Sequence, residues 1–145
     1  MAIFTAKATF TAQDPKRFIN IFVIAKLTAR VQKGQRIVAE HAKQICPVNT
    51  GALQESIGVQ EPVDDFNRIT GAVVASAPYA SFVEFGTGLR GAGTYPGDLP
   101  QEGVPITGAW QYDYKRQNWK GQPAQPFMRP ALDSARSDVL AEFKG

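Results

Sequence analysis

Three glycines, Gly86, Gly88 and Gly91, stand in the spacing G-x-G-x-x-G within "PYASFVEFGTGLRGAGTYPG". Such a spacing lets a backbone approach a dinucleotide pyrophosphate when a strand precedes it, a helix opens within it and an acid lies about 20 residues on. Here the third glycine runs into "AGTYPGDLP", which cannot start a helix, and Asp113 follows a proline-rich stretch rather than a second parallel strand. The glycines are expected to supply turns, and no cofactor is expected.

The other chemistry-bearing residues are sparse. His41 is the one histidine, and no Cys/His set with metal-ligand spacing surrounds it. Cys46, the one cysteine, falls at the end of a helical stretch, where the dipole raises a thiol pKa instead of lowering it. Glu61, Asp64 and Asp65 form a loose acidic group without the pattern of a calcium loop. Neither a G-x-S-x-G elbow nor a P-loop lysine pattern occurs. No enzyme and no metal are expected.

One cluster does carry a binding signal. Trp110, Tyr112, Tyr114 and Trp119 are interleaved with Lys115, Arg116 and Lys120. Such an arm can stack on nucleic-acid bases, and it can equally anchor a protein contact, where Trp, Tyr and Arg concentrate. The net charge of +3, from 16 basic and 13 acidic residues, signals no polyanion partner and favours the protein contact. A nucleic-acid-binding module built on residues 110–120 stays as the alternative.

The elements that must position these residues are legible from periodicity. At 145 residues, with 43% hydrophobic and 20% charged positions, the chain has room for a single domain with one core, taken as 1–145. A lone cysteine excludes an internal disulfide framework and suits a reducing compartment. The most apolar window, "INIFVIA", is far shorter than a membrane span, and "MAIFTAKATF" shows no secretory pattern, so the chain is expected in the cytosol where it is made.

Phe4, Ala6, Ala8 and Phe10 alternate with polar residues and predict a first strand. Asp14 and Pro15 suit a helix start, and an apolar stripe from Phe18 to Ile45 predicts a helix ending before Pro47. Unbroken from Asp14 to Cys46 it would be ~50 Å long, so either it weakens at Gly34 or part of it projects towards a neighbour. "PVNTG" is a turn. Leu53, Ile57 and Val59 mark one strand, "RITGAVVASA" another, with "EPVDDFN" as a longish loop between them.

Tyr79, Phe82 and Val83 fit a short helical turn. Residues 86–125 are rich in Gly and Pro and poor in aliphatics, with Trp110, Tyr112 and Tyr114 as a small hairpin arm. A loop of this length points to binding, with Trp110 and Trp119 as its anchors. Pro130 suits the start of a last helix, Asp133 its positive end, and Leu132, Ala135, Val139 and Phe143 its apolar stripe. Phe82, Phe85 and Phe127 are expected in one core. The fold class is α+β: a long N-terminal helix and a C-terminal helix on a small, mainly antiparallel sheet, with a long Gly/Pro/aromatic loop.

Four signals then stand in a fixed order: the long helix ending at "CPVNTGALQESI", a hairpin, "APYASFVEFGTG", and "QPFMRPAL" opening the last helix. Over about residues 35–140 this resembles the small tail-component family of long-tailed bacteriophages, the head–tail joining, neck, tail-completion or minor tail proteins. The motif residues are Pro47, Thr50, Gly51, Tyr79, Phe82, Glu84, Phe85, Gly86, Pro126, Phe127 and Pro130. Where the family has an acid before the Thr of the turn, this chain has Asn49.

The resemblance implies a structural virion protein without cofactor or chemistry, assembled in the host cytoplasm as a ring at the head–tail junction. Its partners would be its own copies, six or twelve, and neighbouring stopper or head-completion and tail-tube or terminator proteins. Genomic DNA would pass through the bore without specific recognition, and no membrane is involved. A tail terminator ring capping the tube is the alternative within the family. Interface candidates are Trp110, Tyr112, Tyr114, Arg116 and Trp119.

Overall fold

The computed structural model describes residues 4–10, 21–65, 68–87 and 121–144. In chain order the elements are β1 (Phe4–Phe10), α1 (Ile21–Ile45), α2 (Ala52–Glu55), β2 (Ile57–Val59), β3 (Val63–Asp64), β4 (Ile69–Ala75), α3 (Ala80–Phe85) and α4 (Met128–Phe143). The α+β class expected from the sequence is what forms: two long helices on a small antiparallel sheet. Asp14 and Pro15 lie outside the described residues.

β4 is the hub of the sheet. β1 pairs with it antiparallel along its whole length, Phe4 opposite Ala75 and Phe10 opposite Ile69. On its other side β2 takes one end, Ile57 opposite Ala75, and β3 the other, Asp64 opposite Ile69. Between Val59 and Val63 the chain takes four steps while β4 takes three, from Val73 to Thr70. That extra residue is a bulge between Gln60 and Val63, a stretch that includes Pro62, which has no N–H to give the ladder.

Two strand expectations are corrected. "EPVDDFN" is not a longish loop: Val63 and Asp64 pair with β4, and the Asp65 and Arg68 backbones exchange both hydrogen bonds, so the hairpin closes tightly. Leu53 belongs to the short helix α2, where it is buried, and the strand is confined to Ile57–Val59. The left-handed backbone of Gly51, φ 83°, redirects the chain into that turn, and the Ala52 N–H donates to the Thr50 hydroxyl at 3.4 Å.

α1 runs unbroken through Gly34 for 25 residues, about 37 Å. Gly34 is buried, so the helix is held there by packing and not weakened. α1 lies across β4 and along α4, and Val38, Ala39 and Ala42 join Val73, Ala75, Phe85, Phe127, Met128, Ala131, Ala135 and Val139 in one apolar cluster. Its last turn is tied off from α2, where the Gln54 amide donates to the Lys43 carbonyl at 2.8 Å.

α1 comes close to the sheet at Gly71. A methyl group there would stand 2.6 Å from Gln35 Cδ and 2.8 Å from Val31 Cγ1. Gln35 cannot step aside, because its buried amide nitrogen donates to the carbonyls of Gln60 at 2.9 Å and Ala72 at 3.0 Å. Gly71→Ala should therefore destabilise the fold by about 1–3 kcal/mol, although alanine favours most strands over glycine. Urea unfolding of the two proteins checks this; equal midpoints would contradict the close packing.

Candidate functional site

Glu84, Phe85, Gly86 and Phe127, four of the residues that the sequence singled out, converge on the junction between α3 and α4. The first turn of an α-helix has backbone N–H groups with no carbonyl to receive them. At the start of α4 the Glu84 carboxylate takes them. Its Oε2 accepts from the N–H groups of Phe127 at 2.7 Å and Met128 at 3.0 Å, and its Oε1 from Arg129 at 3.3 Å. Pro130 has no N–H to place, and Ala131 begins the helical ladder by donating to the Phe127 carbonyl. "FMRP" and one acid 43 residues earlier in the chain thus account for every donor of the turn.

Burial makes this exchange strong. Glu84 is 1% exposed and Phe127 0%. A carboxylate so far from water is sustained by charge-assisted hydrogen bonds and by the positive end of the helix dipole. Asp133, expected to serve that end, is exposed and lies beyond the first turn. Pro130 falls within the first turn, as expected, but the helix opens at Met128.

Seating Glu84 inward fixes how α3 is turned. Its buried residues are Ala80, Ser81, Glu84 and Phe85. The short helical turn expected from Tyr79, Phe82 and Val83 forms, with Tyr79 41% and Phe82 39% exposed and Val83 half-buried against the core cluster. The expected core trio is corrected accordingly, with Phe85 and Phe127 in the core cluster and Phe82 outside it. At 100° per residue a six-residue helix cannot bury positions 82 and 84 together, and the acid has partners inside that the phenyl ring lacks.

The described segments end at Thr87 and resume at Gly121 beside this junction. Gly86 ends α3 with φ 71° and is itself buried, a backbone that a side chain would strain. The returning segment at 121–127 then crosses the end of α3. Gln122 donates its side-chain amide to the Phe82 carbonyl at 3.0 Å, and the Gln125 N–H donates to Val83 at 2.8 Å, satisfying carbonyls that so short a helix leaves open. Thr87 and Gln122 clasp each other: the Thr87 N–H donates to the Gln122 carbonyl at 3.0 Å, and the Gln122 N–H to the Thr87 hydroxyl at 3.1 Å.

Of the motif residues, Glu84, Phe85, Gly86 and Phe127 meet here, with the half-buried Pro126 and Pro130 at its edge. Pro47, Thr50 and Gly51 form the separate turn after α1, where Pro47 is half-buried and Thr50 exposed. Trp110, Tyr112, Tyr114, Arg116 and Trp119 lie outside the described residues. Sequence reading missed the joining role of Glu84 and the clasp of Thr87 with Gln122; a lone acid inside an apolar segment was the one available signal.

A second polar group has the composition of a hydrolytic triad. His41 Nδ1 lies 2.9 Å from Ser134 Oγ, and its Nε2 lies 3.6 Å from the Asp138 carboxylate. Ser134 and Asp138 stand one turn apart within α4, and the Ser134 hydroxyl also meets the Ala131 carbonyl at 3.1 Å. Backbone N–H groups at mid-helix are committed to the ladder, so none of those beside Ser134 is free to stabilise an oxyanion. The arrangement links α1 to α4. Cys46 is buried in the core cluster, and burial pushes its thiol pKa up, which suits packing better than reactivity. Among the described residues no group of His, Cys, Asp or Glu could hold a metal ion, and no helix is long and apolar enough to cross a membrane.

This arrangement of long helix, bulged hairpin and short helix is the part of the chain that a known family shares. Residues 24–86 match the family model described as "Bacteriophage HK97-gp10, putative tail-component". Over these residues the chain is similar to the phage tail-component family. The match runs from the first turn of α1 to the glycine that ends α3, so Glu84 lies inside it and its α4 partners outside. The role that goes with the family is structural and tail-related, in the company of other virion proteins. No curated protein and no solved structure matches the chain.

Proposed function

We propose that this tail component is a non-enzymatic structural subunit that forms a closed ring, six- or twelve-fold, at the head–tail junction of the phage particle. It would join the capsid connector to the tail tube. The observation that carries the reading is the outward pair Tyr79 and Phe82, held on a helix whose orientation is locked from within by Glu84. Large aromatic side chains on a rigid, preorganised surface are what a protein–protein contact uses, and ring assembly needs such a surface to meet a different one on the next copy. The site lies beside Thr87 and Gly121, the residues that flank 88–120 and its aromatic-basic cluster in the chain.

Phe82→Ala separates contact from folding. With 39% of its surface exposed, Phe82 should contribute little to the fold, and its replacement should cost under about 1 kcal/mol. Assembly, by contrast, should weaken at least tenfold, read by native mass spectrometry or light scattering over a concentration series. Imaging of the intact particle tests the location. A protein that stays monomeric in the mature particle, or one that binds DNA with steep salt dependence and never assembles, would overturn the proposal.

A further inference from the structure

We infer that α1 guards the open edge of the sheet: the Gln35 amide and Pro62 hold the bulge in the β2–β3 edge, and the bulge keeps that edge from accepting a strand of a second copy. This does not depend on ring formation; it concerns a contact that any assembly of these chains has to avoid. Residues 58–65 are exposed except for the half-buried Pro62, and among the described residues no strand pairs with this outer edge. Val59 and Val63, 42% and 64% exposed, make the edge apolar enough to invite strand addition.

The bulge puts the edge out of step with itself. The Ser76 N–H donates to the Ser56 carbonyl and the Gln60 N–H to the Ala72 carbonyl, so Ser56 and Gln60 face β4. By alternation, Ile57, Val59 and Glu61 turn their backbone groups outward. The hydrogen-bonded Asp65–Arg68 pair also faces inward, which puts Asp64 and Pro62 outward. Outward positions in a regular strand fall on every second residue, yet here Glu61 and Pro62 are neighbours. A strand docked along 57–61 therefore loses its register at Pro62, which has no N–H to offer it. Glu61, Asp64 and Asp65 add like charges that two copies of this edge would bring together.

Gln35 holds the bulge from the helix side. Its Nε2 bridges both strands, donating to the Gln60 carbonyl at 2.9 Å and to the Ala72 carbonyl at 3.0 Å, the same oxygen that takes the Gln60 N–H. One turn earlier on α1, the Gln32 amide donates to the Glu61 carboxylate at 3.1 Å. The Gln35 Oε1 is buried with no hydrogen-bond partner among the described residues. Leaving a buried acceptor unpaired is costly, so what this amide contributes is position rather than net stability. Pro62 acts on the alternative register. Removing the bulge would set Val63 opposite Ile69 and Pro62 opposite Thr70, where the ladder needs an N–H that proline lacks.

The test compares the full chain with Gln35→Met, Pro62→Val and the double variant. Methionine keeps the length of glutamine and removes the unpaired oxygen together with the donor, so the fold should hold. In the parent, Asp64 stands opposite Ile69 in the close, non-hydrogen-bonded pairing, which gives an Hα–Hα contact in NMR spectra. In the double variant that contact should move to Val63. Thioflavin T fluorescence, a signal of stacked strands that ring formation does not give, should then rise with protein concentration while the parent stays dark. A double variant that keeps the Asp64–Ile69 contact would overturn the hold of Gln35 and Pro62 on the bulge. One that shifts register yet adds no strands would overturn the bulge as guard. Should the double variant fail to fold, Gln35→Met alone decides. Its Gln60 amide should exchange about tenfold faster, as loss of one supporting hydrogen bond implies, with α4 amides unchanged. Equal exchange at Gln60 would sink the inference.

Discussion

Glu84→Ala should destabilise the protein by about 3–5 kcal/mol. Hydrogen bonds to a charged group contribute about 1.5–3 kcal/mol each, but three that share one carboxylate do not add in full. The substitution leaves the N–H groups of Phe127, Met128 and Arg129 without the acceptor they have now, two of those bonds being buried. Glu84→Gln keeps the shape and one oxygen, yet turns an NH₂ group towards donors, so it should recover only part of the loss. Guanidinium unfolding of the three proteins provides the check. Equal midpoints for Glu84→Ala and the parent would mean that solvent satisfies the start of α4 and that the staple contributes nothing.

Phe127→Ala attacks the same junction through packing. The ring is fully buried in the core cluster and the backbone N–H remains to donate to Glu84. Its loss should therefore report the cavity and the lost burial alone, about 3–5 kcal/mol. In a domain whose total stability is of order 5–15 kcal/mol, either substitution threatens folding at physiological temperature. Because the two residues share one contact, the double variant should lose less than the two separate losses together. Full additivity would show that the ring and the carboxylate act independently.

How much of this was legible in the sequence depended on whether one neighbour or several decided a residue's place. The alternation of Phe4 to Phe10 is local, and the strand formed where it was expected. The stripe of α1 and the stripe of α4 are likewise local patterns, and both helices formed. α3 was placed correctly and one of its residues, Phe82, on the wrong side. Phe82 was expected in the core beside Phe85, and the position of the α4 N-terminus, supplied from more than forty residues away, turns Glu84 inward in its stead. Gly71 passed as an ordinary strand residue, because its reason is the Gln35 side chain of a different element. The bulge at 60–62 was hidden for the same reason: register belongs to a pair of strands, and one strand's composition does not state it. The family resemblance was recognisable at the turn and at α3 because those are short contiguous motifs, and residues 24–86 bear it out.

The staple between Glu84 and α4 also sets a timetable for synthesis. A ribosome delivers α1, the hairpin and α3 first, and must add some forty further residues before the donors at Phe127, Met128 and Arg129 exist. Until then a carboxylate stands at the place where the core has to close, and desolvating it without partners is costly enough to hold that closure open. The emerging chain is thus kept from settling early into a half-built core. A fragment cut short before α4 should stay loose and open to proteolysis, and completed chains alone would reach the pool from which a particle is assembled.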